Sequence, residues 1–217
     1  MPFSLYLHPL SSYCQKAKTA FYEKGLDFET RMLDGSEPVA GEFAKLSPVG
    51  RFPILVDGDR VVFEATSIID HIDLNHPEPR LIPADAQLAV ETRMWDRFFD
   101  NYISTPQQRL VLSAIGRDSA GLDGGATLRA GLETAYSVLD ERMAGREWVV
   151  GDRFSLADCA AAPALLYADW THPIPERHRH LWVYRTRLIS RPSYARALDE
   201  ARPYRHLFPL GAPTDRD

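Results

Sequence analysis

Cysteine is nearly missing from this chain, which has only Cys14 and Cys159 in 217 residues. Two distant thiols outside a C-x-x-C arrangement give no disulfide framework, so a reducing, cytoplasmic setting is expected. Long apolar runs are missing too, and none approaches the ~20 residues a membrane-spanning helix needs. Met1-Pro2-Phe3-Ser4 has no basic region ahead of an apolar core, so no secretory signal is expected. Positive charge is in deficit: 25 Lys and Arg against 30 Asp and Glu leave a net charge of −5. No basic domain is present to release counterions from nucleic acid, and no such partner is expected. The arginines between Arg177 and Arg205 are interspersed with Asp199 and Glu200, as on a solvated mixed-charge face. The seven histidines are scattered, His178-Arg179-His180 lacks i, i+4 spacing, and no H-E-x-x-H occurs, so no metal site is expected.

What is present suits an ordinary globular protein, 45% apolar and 25% charged, long enough for one large or two small domains with a sizeable core. Phe3 to His8 reads as a short buried strand. Ser12 to Lys24 reads as an amphipathic helix with Ala17, Ala20 and Phe21 inward and lysines interleaved, ended by Gly25. Phe28 to Leu33 alternates as a second strand, completing a βαβ unit. Asp34 to Lys45 reads as a loop with a short helix. Pro53 then heads a hairpin running to Phe63 through a tight Asp57-Gly58 turn, and a proline there is a place for a cis peptide. Glu64-Ala65-Thr66-Ser67 opens a helix to about Leu74, with Ile68, Ile69 and Ile72 inward and Asp70 and Asp73 outward. Three prolines from His76 to Pro83 mark a boundary.

Beyond it strand signals vanish. Ala86 to about Ile115 is one long helical segment with aromatic interior Trp95, Phe98, Phe99 and Tyr102, bent near Pro106. Gly116 to Gly125 reads as a loop, and Ala126 to Ala144 as a further helix. Ser155 and Asp158 form a capping box with Phe154 as hydrophobic staple. They start a nearly all-apolar, buried central helix in which Cys159 is a packed thiol. Helices around 180–189 and 193–201 precede a Pro-rich tail expected to be loosely ordered. The reading is an α+β chain: residues 1–76 as a βαβαββα domain, 77–85 as a Pro-rich linker, and 86–217 as an all-helical domain.

The chemistry-bearing stretch is Ser11-Ser12-Tyr13-Cys14-Gln15-Lys16. Its serines sit where a helix begins, where unpaired N–H groups and the positive dipole end can hold a thiolate or other anion. A plain helix cap is the simpler local alternative. This turn, with Ser47-Pro48-Val49-Gly50-Arg51-Phe52-Pro53, Glu64-Ala65-Thr66-Ser67-Ile68-Ile69 and the Ser155 to Asp158 box, resembles the motifs of cytosolic glutathione transferases in their order and spacing. The resemblance spans about residues 3 to 165 and implies a thioredoxin-like N-terminal domain, glutathione as co-substrate, a homodimer and no metal.

It further implies that Ser11, with Ser12 as second candidate, lowers the thiol pKa of glutathione so that thiolate attacks a small electrophile. Phe52 and Pro53 would pair with the tripeptide backbone, Glu64 and the N–H of Ala65 would hold its γ-glutamyl end, and Arg51 would reach its glycyl carboxylate. Ala65 stands where the family usually carries a serine, a loss on the order of 1–3 kcal/mol. Position suggests Tyr102, Thr105, Arg109 and Trp170 for the second-substrate pocket. Ser11 stands where glutaredoxins carry their first cysteine, so Cys14 reads as structural and a dithiol cycle in this turn is excluded. Tyr6 reads as a buried strand tyrosine. Alternatives are a glutathione-dependent isomerase of the maleylacetoacetate type, suggested by the Ser11-Ser12 pair, and a transferase-like binding or stress protein without turnover, suggested by Ala65.

Overall fold

A computed structural model describes residues 3–118 and 123–217. Residues 1–2, and 119–122 within the expected glycine-rich loop, lie outside the described residues. The first part of the chain forms β1 (Phe3–Leu7), α1 (Ser12–Glu23), β2 (Phe28–Met32), α2 (Val39–Leu46), β3 (Ile54–Asp57), β4 (Arg60–Phe63) and α3 (Ala65–Asn75). The rest is helical: α4 (Ala86–Phe98), a π-helical stretch (Phe99–Ser104), α5 (Thr105–Ala114), α6 (Ala126–Met143), α7 (Leu156–Thr171), α8 (Arg179–Ser190), α9 (Pro192–Ala201) and a 3₁₀ stretch (Arg202–Leu207). The α+β reading therefore holds.

The sheet order is β2-β1-β3-β4. β1 and β2 are parallel, in register from Phe3 opposite Phe28 to Leu7 opposite Met32, and the other pairs are antiparallel. A parallel pair needs a crossover, which α1 supplies. Gly25 ends α1 at φ +62, and the Leu26 N–H reaches back to the Phe21 carbonyl at 3.0 Å, a left-handed cap open to glycine. The hairpin loop is Gly58-Asp59, one residue later than expected, because the turn takes its positive φ (+59) at the first central position.

Two expectations about charged residues are corrected. Lys16 and Lys18 are buried in α1 rather than on a solvent face. Asp73 points inward: its carboxylate accepts the N–H groups of Leu81 (2.8 Å) and Ile82 (3.2 Å) and pairs with Lys24 at 2.6 Å. Lys24 also donates to the carbonyls of His76 and Pro79, so this pair satisfies backbone groups that the proline-rich segment cannot pair internally.

The long helix breaks where Pro106, at the start of α5, withholds its N–H. The chain bulges into π geometry over Phe99–Ser104. α7 is buried from Leu156 to Trp170. Its cap aspartate, Asp158, accepts the N–H and hydroxyl of Ser155 (2.9 and 2.8 Å), the N–H of Val149 (3.2 Å) and the hydroxyl of Tyr184 (2.5 Å). The tail is ordered instead of loose. Phe208 packs on Tyr167 and Trp170, with ring centroids at 5.8 and 5.3 Å, and Arg216 reaches the buried Asp169 at 3.0 Å. No helix of the described residues is long and apolar enough to cross a membrane.

Candidate functional site

The opening turn is tied down from both sides. Ser11 caps α1 in extended geometry, its Oγ accepting the Cys14 N–H at 3.4 Å, and its own N–H donates to the His8 carbonyl at 3.0 Å. The cap bond occupies a lone pair of Oγ, and the hydroxyl also lies beside the buried Cys14 thiol. Ser12 is the first helical residue. Gln15 is fully buried, with Nε2 donating to the Pro9 carbonyl (3.0 Å) and the Tyr167 hydroxyl (2.8 Å) while Oε1 accepts from Tyr194 (3.0 Å). One side chain thus anchors the turn to α7 and α9.

A cleft of about 490 Å³ opens beside Ser11. One wall carries Arg51, Phe52, Pro53, Glu64 and Ala65. The other carries Arg97, Asp100, Asn101 and Arg109 from the helical part. The loop into β3 is clasped by Ser47, whose Oγ accepts the Arg51 N–H (2.9 Å) and donates to the Arg51 carbonyl (3.0 Å). Gly50 turns at φ +63 and the Phe52–Pro53 peptide is cis. Glu64 caps α3 at φ +66, the one positive-φ residue other than glycine among the described residues. Such a conformation costs about 1–3 kcal/mol and is kept where surrounding structure enforces it.

Behind Ala65 lies a charged knot. Lys16 Nζ, 1% exposed, meets Asp96 (2.6 Å), Asp100 (2.8 Å) and the Thr66 hydroxyl (2.9 Å). Arg97 bridges Thr66 (2.6 Å) and Asp96 (3.0 Å) and also contacts Asp100. Burial pushes the Asp100 carboxyl above the usual range, against the pull of Lys16 and Arg97. The knot joins α1 and α3 to α4, so the two walls are held in one arrangement.

A smaller cavity of about 240 Å³ shares Ser11, Phe52 and Gln108 with the cleft and adds His8, Ser12, Gln107, Tyr167 and Phe208. The other candidate nucleophiles and acids nearby are committed elsewhere. Cys14 is fully buried and burial pushes its thiol up to about 11, despite the Ser11 hydroxyl beside it. Tyr6 donates to Glu42 at 2.9 Å, and burial raises its hydroxyl pKa as well. Among the described residues no group of three or more His, Cys, Asp or Glu is placed to hold a metal ion.

Comparison with known proteins fits this geometry. The family profile "Glutathione S-transferase, N-terminal domain" matches residues 5–80, and "Glutathione S-transferase, C-terminal domain" matches residues 125–192. Glutathione S-transferase 3 of Zea mays is 30% identical over 91% of this chain and 93% of its own length. The chain belongs to the glutathione S-transferase family. A probable maleylacetoacetate isomerase of Vibrio cholerae is 26% identical over 94% of this chain and 98% of its own. A solved glutathione S-transferase of Methylobacterium radiotolerans, in complex with glutathione sulfonate, superposes with a TM-score of 0.78 at 28% identity, covering 91% of this chain and 94% of that one. Glutathione is the family's co-substrate.

In this member of the family the structure brings Ser11, Arg51, Phe52, Pro53, Glu64, Ala65 and Arg109 to one cleft, with Ser12 on the adjoining cavity. Three residues suggested for the second pocket line neither space. Tyr102 is 59% exposed and packs on Phe98, and the Thr105 hydroxyl donates to the Asp100 carbonyl at 2.8 Å. Trp170 is buried under Phe208 with the Arg205 guanidinium 4.8 Å from its ring. Sequence reasoning missed His8, Gln15, Gln107, Gln108, Phe208 and the Lys16 knot. Only His8 carried a local signal, a histidine at the strand end three residues before Ser11.

Proposed function

We propose that this glutathione S-transferase is of the serine type and transfers glutathione to a small electrophile. The observation that carries the reading is Ser11, whose hydroxyl stands at the N-terminus of α1 and lines both the cleft and the smaller cavity. Glutathione lies in the cleft: its cysteinyl backbone pairs with that of Phe52 ahead of Pro53, as an added strand would. Its γ-glutamyl end takes Glu64 and the N–H of Ala65, and its glycyl carboxylate takes Arg51. The sulfur then rests at Ser11. A donated hydrogen bond and the helix dipole both favour thiolate over thiol. Lowering a free thiol near ~8.5 by about 1.5 units corresponds to about 2 kcal/mol and makes thiolate a major species at neutral pH. Serine acts only as donor, so it needs no histidine or carboxylate to activate it.

The electrophile enters the smaller cavity. The reading includes domains divided at 76 and 86, a homodimer and a cytoplasmic setting. A second reading, glutathione-dependent cis–trans isomerisation of the maleylacetoacetate type, is favoured by the Ser11-Ser12 pair and the likeness to the Vibrio protein. Conjugation of chlorodinitrobenzene, assayed beside isomerisation of a cis-enediacid, separates the two. Turnover of the first without the second supports transfer, the reverse pattern overturns it, and failure to bind millimolar glutathione overturns both.

A further inference from the structure

We propose that Gln15 is a positioning residue: from the interior of the fold it fixes where the Ser11 hydroxyl stands, and so how well that hydroxyl meets the glutathione sulfur; the proposal rests on the transfer reading above. An amide taken out of water is costly unless its hydrogen bonds are replaced. Gln15 is fully buried in the first turn of α1 and replaces all of the strong ones. Its Nε2 donates to the Pro9 carbonyl at 3.0 Å and to the Tyr167 hydroxyl at 2.8 Å, and its Oε1 accepts the Tyr194 hydroxyl at 3.0 Å. A main-chain carbonyl can only accept, so the Pro9 bond identifies the amide nitrogen and fixes which way the group faces.

The grip spans the turn that carries Ser11. The main-chain N–H of Gln15 donates to the Ser11 carbonyl at 2.9 Å, while its side chain reaches six residues back to Pro9. One residue therefore holds the chain on both sides of Leu10. The other bonds of the turn are weaker restraints or purely local. Ser11 Oγ meets the Cys14 N–H at 3.4 Å, long for a hydrogen bond. The Ser11 and Leu10 N–H groups both go to His8, to its carbonyl at 3.0 Å and its Nδ1 at 3.2 Å. Those bonds shape the turn without tying it to the body of the protein.

Gln15 supplies that tie. Tyr167 stands in α7 and Tyr194 in α9, 152 and 179 residues further along the chain, and both are buried. Pro9 is buried too, and its carbonyl finds no hydrogen-bond partner besides Gln15 among the described residues. Without the amide that carbonyl must turn to find another, and Ser11 lies two residues on. A hydrogen bond weakens steeply with angle, and a displacement of about 1 Å at a reacting group can cost on the order of 10²-fold. A smaller rotation at Pro9 therefore shows first in the bond from Ser11 to the sulfur.

The test titrates the ultraviolet absorbance of enzyme-bound glutathione thiolate, without electrophile, in wild type, Gln15→Met and Tyr194→Phe, with Tm and the pH dependence of chlorodinitrobenzene conjugation recorded beside it. Gln15→Met keeps the side chain's length and releases Pro9. It is expected to raise the titration midpoint by about 0.5–1 pH unit, which from a midpoint near 7 is about a 2- to 5-fold loss of kcat at pH 7, recovered at alkaline pH. The KM for glutathione stays within about twofold, since the cleft residues proposed to bind it are untouched. Tyr194→Phe leaves Oε1 without its donor and lowers Tm, yet keeps the Pro9 bond and the wild-type midpoint. If Gln15→Met does not fold, the variant that also carries Tyr167→Phe and Tyr194→Phe, with only the Pro9 carbonyl stranded, bears the same prediction; if neither folds, Gln15 serves stability and the proposal falls. It is overturned as well by an unchanged midpoint in Gln15→Met, by an equal change in Tyr194→Phe, or by a loss of activity that is the same at every pH. A wild type without bound thiolate, or one whose midpoint Ser11→Ala leaves in place, overturns the serine-type transfer reading itself, and these results are read apart from the Gln15 variants.

Discussion

Replacing Ser11 with alanine removes a hydroxyl with two separable duties. Its oxygen accepts the Cys14 N–H at 3.4 Å, a long cap bond whose loss costs about 0.5–1 kcal/mol, the low end for N-caps. For a chain of this size that is a fall of roughly 1–4 °C in Tm. Its proton, in the proposed mechanism, holds the glutathione sulfur. If that bond and its geometry lower the thiol by about 1.5 units, from about 8.5 to about 7, the thiolate fraction at pH 7 drops from about one half to about 3% in the variant. The expected loss in kcat/KM at pH 7 is therefore about 15-fold, recovered at alkaline pH where the free thiol ionises unaided. The assay is a pH series of chlorodinitrobenzene conjugation with the ultraviolet titration of bound thiolate. Ser12→Ala is the control, since Ser12 lines only the smaller cavity. A titration unchanged in Ser11→Ala but shifted in Ser12→Ala refutes the assignment. A loss of activity that is the same at every pH refutes the mechanism.

Further expectations follow from groups around the site. Asp158→Ala strands the N–H groups of Ser155 and Val149 and the Tyr184 hydroxyl. It should cost on the order of 3–5 kcal/mol, seen as a large fall in Tm by calorimetry. Lys16→Met leaves the buried Asp96 and Asp100 with only the half-exposed Arg97 as counter-charge and should destabilise by about 3 kcal/mol, measured by urea unfolding. Neither Cys14 nor Cys159 should react with a thiol reagent at pH 8 while the chain is folded, and one fast equivalent of labelling would contradict the packing. Because the Cys14 thiol is pushed up to about 11 by burial, it stays neutral in the folded chain after the unfolded chain has begun to ionise. Its contribution is complete below about 8.5 and lost as pH rises toward 11, so urea midpoints should decline across that window and decline less in Cys14→Ala.

The parts of this fold that were legible in sequence are those governed by neighbours along the chain. The βαβ unit showed in alternation and in Gly25, the hairpin in Pro53 and its glycine turn, and the α7 cap in Ser155 and Asp158. What escaped depends on partners far away in sequence. Lys16 looked like the solvent face of an amphipathic helix because its neutralising Asp100 lies 84 residues on. Asp73 looked outward for the same reason, its lysine being just past the end of α1. The tail looked loose because prolines give no periodicity, yet Phe208 finds an aromatic seat and Arg216 a buried carboxylate. Of the second-pocket residues suggested by position, Arg109 lines the cleft, and α5 presents Gln107 and Gln108 to the smaller cavity, positions that no local motif marks.

Whether the Ser11 hydroxyl holds the sulfur of glutathione is tested most directly by a crystal structure with glutathione soaked into the cleft. The sulfur is expected within about 3.5 Å of Ser11 Oγ, the range of a sulfur hydrogen bond, with the cysteinyl backbone paired to Phe52. A sulfur seated instead on Ser12, Tyr6 or Tyr13, or a cleft that stays without tripeptide at millimolar glutathione, contradicts that role.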